Sequence, residues 1–151
     1  MELKELKEIT GLEQSRKLKY KYDEFGLLID LLRKRDLPAE LVSSMNQYIE
    51  GINSLSASNK ELLKQVRSAE LRILKIIEKE EKLVPKNAYR TRWMAIGMSV
   101  FGVPIGMAFG ASLGNMAFIG IGIPIGMAMG IGIGTGMDKK ALDEGRQLKF
   151  I

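Results

Sequence analysis

From Trp93 to Met137 the chain carries no Asp, Glu, Lys or Arg, and its polar side chains there are Ser99, Ser112, Asn115 and Thr135. Hydroxyls and a carboxamide solvate water or an ion, but they are poor acids and bases at neutral pH. The chemistry open to these four is the lining of a conduction path. Reactive groups are sparse elsewhere too. The chain has no histidine and no cysteine, which removes imidazole bases, thiol nucleophiles and most metal sites. Its many glycines invite a phosphate-loop reading, yet neither G-x-x-x-x-G-K-[ST] nor G-x-G-x-x-G occurs. Carboxylates in the N-terminal part mostly stand beside Lys or Arg, as on solvated helix faces. No enzyme, metal or cofactor is expected.

The charges are sharply partitioned. Residues 1–92 hold 19 of the 23 Lys/Arg and 15 of the 18 Asp/Glu, and the remainder lie from Asp138 onward. A soluble domain needs polar cover, so 45 consecutive uncharged residues point to lipid instead. The net charge of +5 is spread among interleaved acids and bases without a basic block, so no nucleic-acid partner is expected. Absent cysteine fits a reducing compartment. The opening MELKELKEITGLEQ lacks the apolar core of an export signal.

The uncharged run divides naturally. Trp93–Leu113 and Met116–Met137 hold 21 and 22 residues around Gly114-Asn115, and as a helix each spans about 30 Å, one hydrocarbon thickness. A hairpin turning at Gly114-Asn115 is therefore predicted. Trp93 falls at the interfacial level. Arg90 and Arg92 precede the hairpin, and Lys139 and Lys140 follow it, which predicts two spans with both termini in the cytoplasm.

The N-terminal region reads as helices. One is predicted from about Leu12 to Arg35, with an apolar patch at Phe25, Leu27, Leu28, Ile29, Leu31 and Leu32. Pro38 is placed for the first turn of a second helix carrying Leu41, Val42, Met45, Tyr48 and Ile52. Ser58 and Glu61 fit a capping box. Leu62, Val66, Ala69, Ile73 and Ile76 then follow as a heptad seam, rejoined by Leu83, which closes either an intramolecular bundle or a contact between copies. Pro85 ends this third helix. The predicted organisation is a cytosolic helical region over 1–86 with a coiled-coil segment near 58–84. A basic juxtamembrane linker follows at 87–92, then the hairpin at 93–137 and a cytosolic tail at 138–151.

The two hairpin halves repeat one another. GVPIGMAFGASLG at 102–114 aligns with GIPIGMAMGIGIG at 122–134, identical at 8 of 13 positions, which indicates a duplicated span. Gly102, Gly106, Gly110 and Gly114 form one i, i+4 row, and Gly122, Gly126, Gly130 and Gly134 form another. Such rows make grooves in which a second backbone approaches closely. In this the segment resembles glycine-zipper two-span membrane proteins, over residues 93–137 only. The resemblance implies helix packing, here assigned to contacts between copies, and implies no single function. The Gly-x-Gly-x-Gly pattern of 130–136 also looks like the packed inner helices of rotary ATPase membrane rings, without their ion-carrying carboxylate.

Small and large residues alternate from Gly120 to Met137, a period that also suits strands of an oligomeric barrel. Pro104 and Pro124 would each remove a ladder donor, so helices are preferred. The expected fold class is all-α: a helical, coiled-coil N-terminal region with a two-helix glycine-zipper transmembrane hairpin. Two functions fit. One is an oligomeric pore or membrane-disrupting effector of holin or toxin type, controlled by the cytosolic helices. The other is a membrane-anchored adaptor that recruits a protein partner. The expected partners are the lipid bilayer, other copies of the chain, and a protein partner or trigger at the N-terminal helices.

Overall fold

The computed structural model describes residues 2–9, 12, 15–55 and 58–149. The chain divides into two units, Met1–Val84 with Leu148–Ile151, and Pro85–Gln147. Both are built from helices, so the expected all-α class is what forms.

In the first unit, α1 (Arg16–Arg33), α2 (Ala39–Asn53) and α3 (Asn59–Glu81) enclose one apolar core. Ser15 caps α1 by accepting from the Leu18 amide at 3.4 Å. Pro38, whose lack of an N–H costs nothing at a helix start, immediately precedes α2. Ser58 accepts from the Glu61 amide at 3.4 Å, the hydroxyl half of the predicted box. The seam of α3 closes within the unit. Leu62, Val66, Ala69 and Ile73 are buried as predicted, but the next buried residue is Ile77. A straight helix turns every 3.6 residues, so an apolar row drifts from strict heptad spacing, and here the last step is four. The helix ends before Pro85 is reached. Lys82 adopts a left-handed conformation (φ 57°), and its amide and that of Leu83 return to the Ile77 carbonyl.

One charge cluster lies among these helices. Lys21 of α1 bridges Glu24 at 2.7 Å and Glu70 of α3 at 2.6 Å. Burial pushes the Glu70 carboxyl above the usual carboxylate range, against the pull of Lys21. Residues 2–9 are not helical and run along α1 and α2 with Leu3 buried.

In the second unit, α4 (Ala88–Ile96), a π-helical segment (Gly97–Gly102) and α5 (Val103–Leu113) follow one another as a single rod. A 3₁₀ turn (Met116–Phe118) then leads into α6 (Ile119–Asp143). Ala88–Leu113 and Met116–Asp143 are each long and apolar enough to cross a membrane. The chain reverses where expected. Gly114 takes a left-handed φ of 65°, and the Asn115 side chain accepts from the Ala117 amide at 2.9 Å to start the next turn. Neither half forms the alternative strands.

Two predicted boundaries shift. Residues 88–92, expected within a linker, belong to α4, and residues 138–143, expected in the tail, continue α6. Nothing in Arg90-Thr91-Arg92 or Asp138-Lys139-Lys140 breaks a helix, so each helix runs past its apolar part into charge. The tail is not wholly solvated either, because Leu148 returns to the core of the first unit. β1 (Val84–Pro85) and β2 (Gln147–Leu148) pair as a two-stranded sheet.

Candidate functional site

The hairpin contact is made by glycine against backbone. A methyl group built on Gly126 would lie 2.6 Å from Gly102 Cα, and one on Gly122 would lie 2.6 Å from Gly106 Cα. On Gly106 it would meet Ile119 Cα at 2.7 Å, and on Gly134 it would meet Arg90 Cα at 2.5 Å. No real side chain tolerates such distances from backbone. Gly102, Gly106, Gly110, Gly122, Gly126, Gly130 and Gly134 are all buried. These predicted packing glycines therefore meet within one chain. Gly114, the eighth, is not among them. It is exposed with open space around it, because the turn requires its positive φ.

Its place in the row is taken by Gly97. This residue is buried, and a methyl group there would lie 2.9 Å from Gly130 Cα. The interval from Gly97 to Gly102 is five residues, which on an α-helix would turn Gly97 away. The π segment spans this interval, with the Val103 amide bonding to the Met98 carbonyl five residues back. Pro104 follows directly and cannot donate to the Val100 carbonyl, which frees the chain to widen there. Its repeat partner Pro124 sits inside a regular α-helix. There the carbonyl four residues back belongs to Gly120, near the start of α6. The two halves of the sequence repeat therefore differ in backbone.

Asp138 closes the other end. It is 6% exposed, and its carboxylate accepts from the amides of Tyr89 at 3.1 Å and Arg90 at 2.9 Å. Asn87, at the helix start, takes a φ of 60° and makes no side-chain cap. The first turn of α4 is thus capped from α6, with a negative charge at the positive end of the helix dipole. By sequence Asp138 is the first residue of the expected cytosolic tail. Its signal was position alone, the first acid after 45 uncharged residues. Asp138→Ala is expected to cost about 0.5–2 kcal/mol of local stability. Amide exchange at Tyr89 and Arg90 should accelerate severalfold, with partial rescue in Asp138→Asn. Unchanged exchange would show that the cap holds nothing.

The four polar candidates are not brought together. Ser99 is exposed on the rod and donates to its own helix, to the carbonyls of Ala95 at 3.1 Å and Ile96 at 3.2 Å. Ser112 is exposed near the end of α5, Asn115 caps the turn, and Thr135 is exposed on α6. Trp93 is half-buried, and its carbonyl carbon would be 2.7 Å from a methyl group on Gly130. The side chains of Arg90, Arg92, Lys139 and Lys140 lie at the open end of the hairpin, all in exposed positions.

Each helix has a second small-residue row, set two residues or about 200° from the first. On α6 it comprises Gly120, Pro124, Ala128, Gly132 and Gly136, all exposed, and methyl groups on the three glycines would meet nothing. On the first rod it comprises Ala95, Ser99, Pro104, Ala108 and Ser112, also all exposed. The π segment keeps this row in line as well, since the step from Ser99 to Pro104 is again five. The strand-like alternation of the sequence is thus the trace of a helix with small residues on two opposite sides. No protein-family model, curated protein or solved structure matches the chain.

Proposed function

We propose that this chain is an integral membrane protein whose glycine-zipper hairpins assemble side by side into an oligomeric pore. The observation that carries it is the second small row on each helix. One face of each helix is filled by its partner in the same chain. The opposite face is free to receive a helix from the next copy. Contacts of this kind between unlike helices are heterologous, and they form a ring when the rotation from copy to copy closes. Apolar exposure favours lipid as the surroundings, because only 22% and 17% of the two candidate spans are buried. Arg90, Arg92, Lys139 and Lys140, flanking the two spans, support a topology with both termini on the cytoplasmic side.

Ser99 and Ser112 belong to the outer row that meets the next copy, so the lumen of such a ring has Asn115 and Thr135 as its few polar groups. It carries no ring of charge within the membrane, so conduction discriminates weakly between anions and cations. Any charge filter lies outside, at Arg92 and Lys139. The alternative is an anchored adaptor. It is favoured by one observation: the first unit has a complete core of its own, more than a simple trigger needs.

Purified protein in liposomes is the test. A pore releases a small dye with little charge preference, and expression depolarises cells. Exchanging residues 93–137 for an unrelated two-span anchor abolishes both effects. If the exchanged protein retains full function and liposomes never leak, the chain is an adaptor.

A further inference from the structure

The first unit holds a segment of its own chain in the manner of a bound peptide. Asn46 and Asn53 stand seven residues apart on α2. The Asn46 side chain accepts from the Lys4 amide at 2.8 Å and donates to the Glu2 carbonyl at 3.0 Å. Asn53 repeats this one step along, accepting from the Lys7 amide at 2.9 Å and donating to the Glu5 carbonyl at 2.8 Å. Each carboxamide thus straddles one leucine, Leu3 or Leu6, and satisfies the main chain on both sides of it. Seven helical residues advance about 10.5 Å. Three residues of polyproline-type chain advance about 9.3 Å and return a side chain to the same side. The two repeats match, and Leu3, Leu6 and Ile9 recur at that interval.

Side chains reinforce the fit. Leu3 is buried, and Leu6 and Ile9 pack on the core. Arg33 of α1 bonds the Leu3 carbonyl at 3.2 Å and pairs with Glu5 at 3.1 Å, Lys4 pairs with Glu50, and the Tyr22 hydroxyl donates to the Lys7 carbonyl at 2.7 Å. The strap nevertheless leaves space. A cavity of 260 Å³ opens beside Leu6 over Gly26 and Ile29. Another, of 230 Å³, opens beside Leu3 toward Leu32, Leu37 and Val42.

We infer that the groove between α1 and α2 is a docking site for an extended segment of a partner protein, and that residues 2–9 occupy it in cis as an autoinhibitory strap. The Asn46 and Asn53 amides read main chain, which any extended peptide offers. Side-chain selection comes from the three-residue apolar interval and from the charges of Glu50 and Arg33, which favour a cation followed by an acid after the first apolar residue. The two cavities leave room for side chains larger than leucine, with Glu5, Asp30 and Arg33 lining one and Glu2, Arg33 and Asp36 the other. The site is independent of what the hairpin does.

The test uses the full chain in detergent. Leu3→Asp with Leu6→Asp releases the strap, and a fluorescent peptide of sequence ELKELKEI serves as the probe in anisotropy titrations. The released variant binds it saturably, and the unaltered chain binds at least about tenfold more weakly because its groove is filled. Adding Asn46→Ala and Asn53→Ala to the released variant weakens binding at least about tenfold, and a probe with phenylalanine at both leucine positions binds more tightly than its parent. In the otherwise native chain, Asn46→Ala with Asn53→Ala speeds amide exchange at Lys4 and Lys7. A released variant that stays helical yet binds no probe overturns the proposal, as does binding that ignores the two asparagines. An aromatic probe weaker than its parent overturns the outside partner. A fall in native mass on strap release assigns the groove to a second copy instead.

Discussion

Replacing Gly126 with leucine is expected to separate the two helices of the hairpin, whereas Gly132→Leu leaves the hairpin closed and removes only the assembly of copies. The two residues are six apart on one helix and chemically identical, but they face different neighbours. A side chain at Gly126 meets the backbone at Gly97 and Gly102. Backbone cannot rotate aside as a side chain can, so the cost reaches the upper end of the overpacking range, about 3 kcal/mol or more. A side chain at Gly132 meets nothing within its own chain and fills the groove offered to a neighbour. Spin labels at the exposed Thr91 and Met137, read with native mass in detergent, separate the cases. Gly126→Leu lengthens the label distance, and Gly132→Leu preserves it while reducing the mass to that of one chain. Both variants stop dye release. If Gly132→Leu assembles and leaks normally, copies do not meet through the outer row.

Much of this architecture is legible in the sequence because it depends on coarse physics. A charge-free run of two span lengths, a Gly-Asn turn and a serine cap are local signals, and each appears in the structure where it was read. The glycine rows are equally plain. What the residues do not disclose is which glycine surfaces meet each other, since a row that packs within a chain has the same spacing as one that packs between chains. Gly97 is missed because its interval is five, and a search for steps of four excludes a residue held in line by a π turn. Asp138 is missed because a carboxylate after a span resembles any juxtamembrane charge, while its partners are main-chain amides 48 and 49 residues away. Residues 2–9 are missed for a related reason. Leucines every third residue beside Lys and Glu suit a helix face as well as an extended strap, and the asparagines that decide between them lie more than forty residues downstream.

Deleting Val100 is expected to be tolerated, although it removes a residue from within a membrane-length helix, whereas deleting Ala108 is expected to destroy the hairpin. Both residues are exposed, so neither loss disturbs a contact of its own, and the difference is one of register. Residue 100 lies in the π segment, where five residues join Gly97 to Gly102. Without it the interval becomes four, the π turn relaxes to an α turn, and Gly97 still faces Gly130. The outer row keeps its line too, because Ser99 to Pro104 shortens from five to four at the same point. Residue 108 lies in regular α5, between Gly106 and Gly110. Its removal turns everything on one side of the deletion by about 100° relative to the other, so Gly97, Gly102 and Gly106 can no longer face α6 while Gly110 and the turn keep their places. The deletion of Ala108 should therefore match or exceed Gly126→Leu in label separation between Thr91 and Met137 and in loss of leakage. The deletion of Val100 should keep both near their original values. Amide exchange at Tyr89 and Arg90 gives an independent check, because those amides stay protected only while Asp138 still reaches them across a closed hairpin. Equal damage from the two deletions would mean that the π segment is not what aligns the glycine faces.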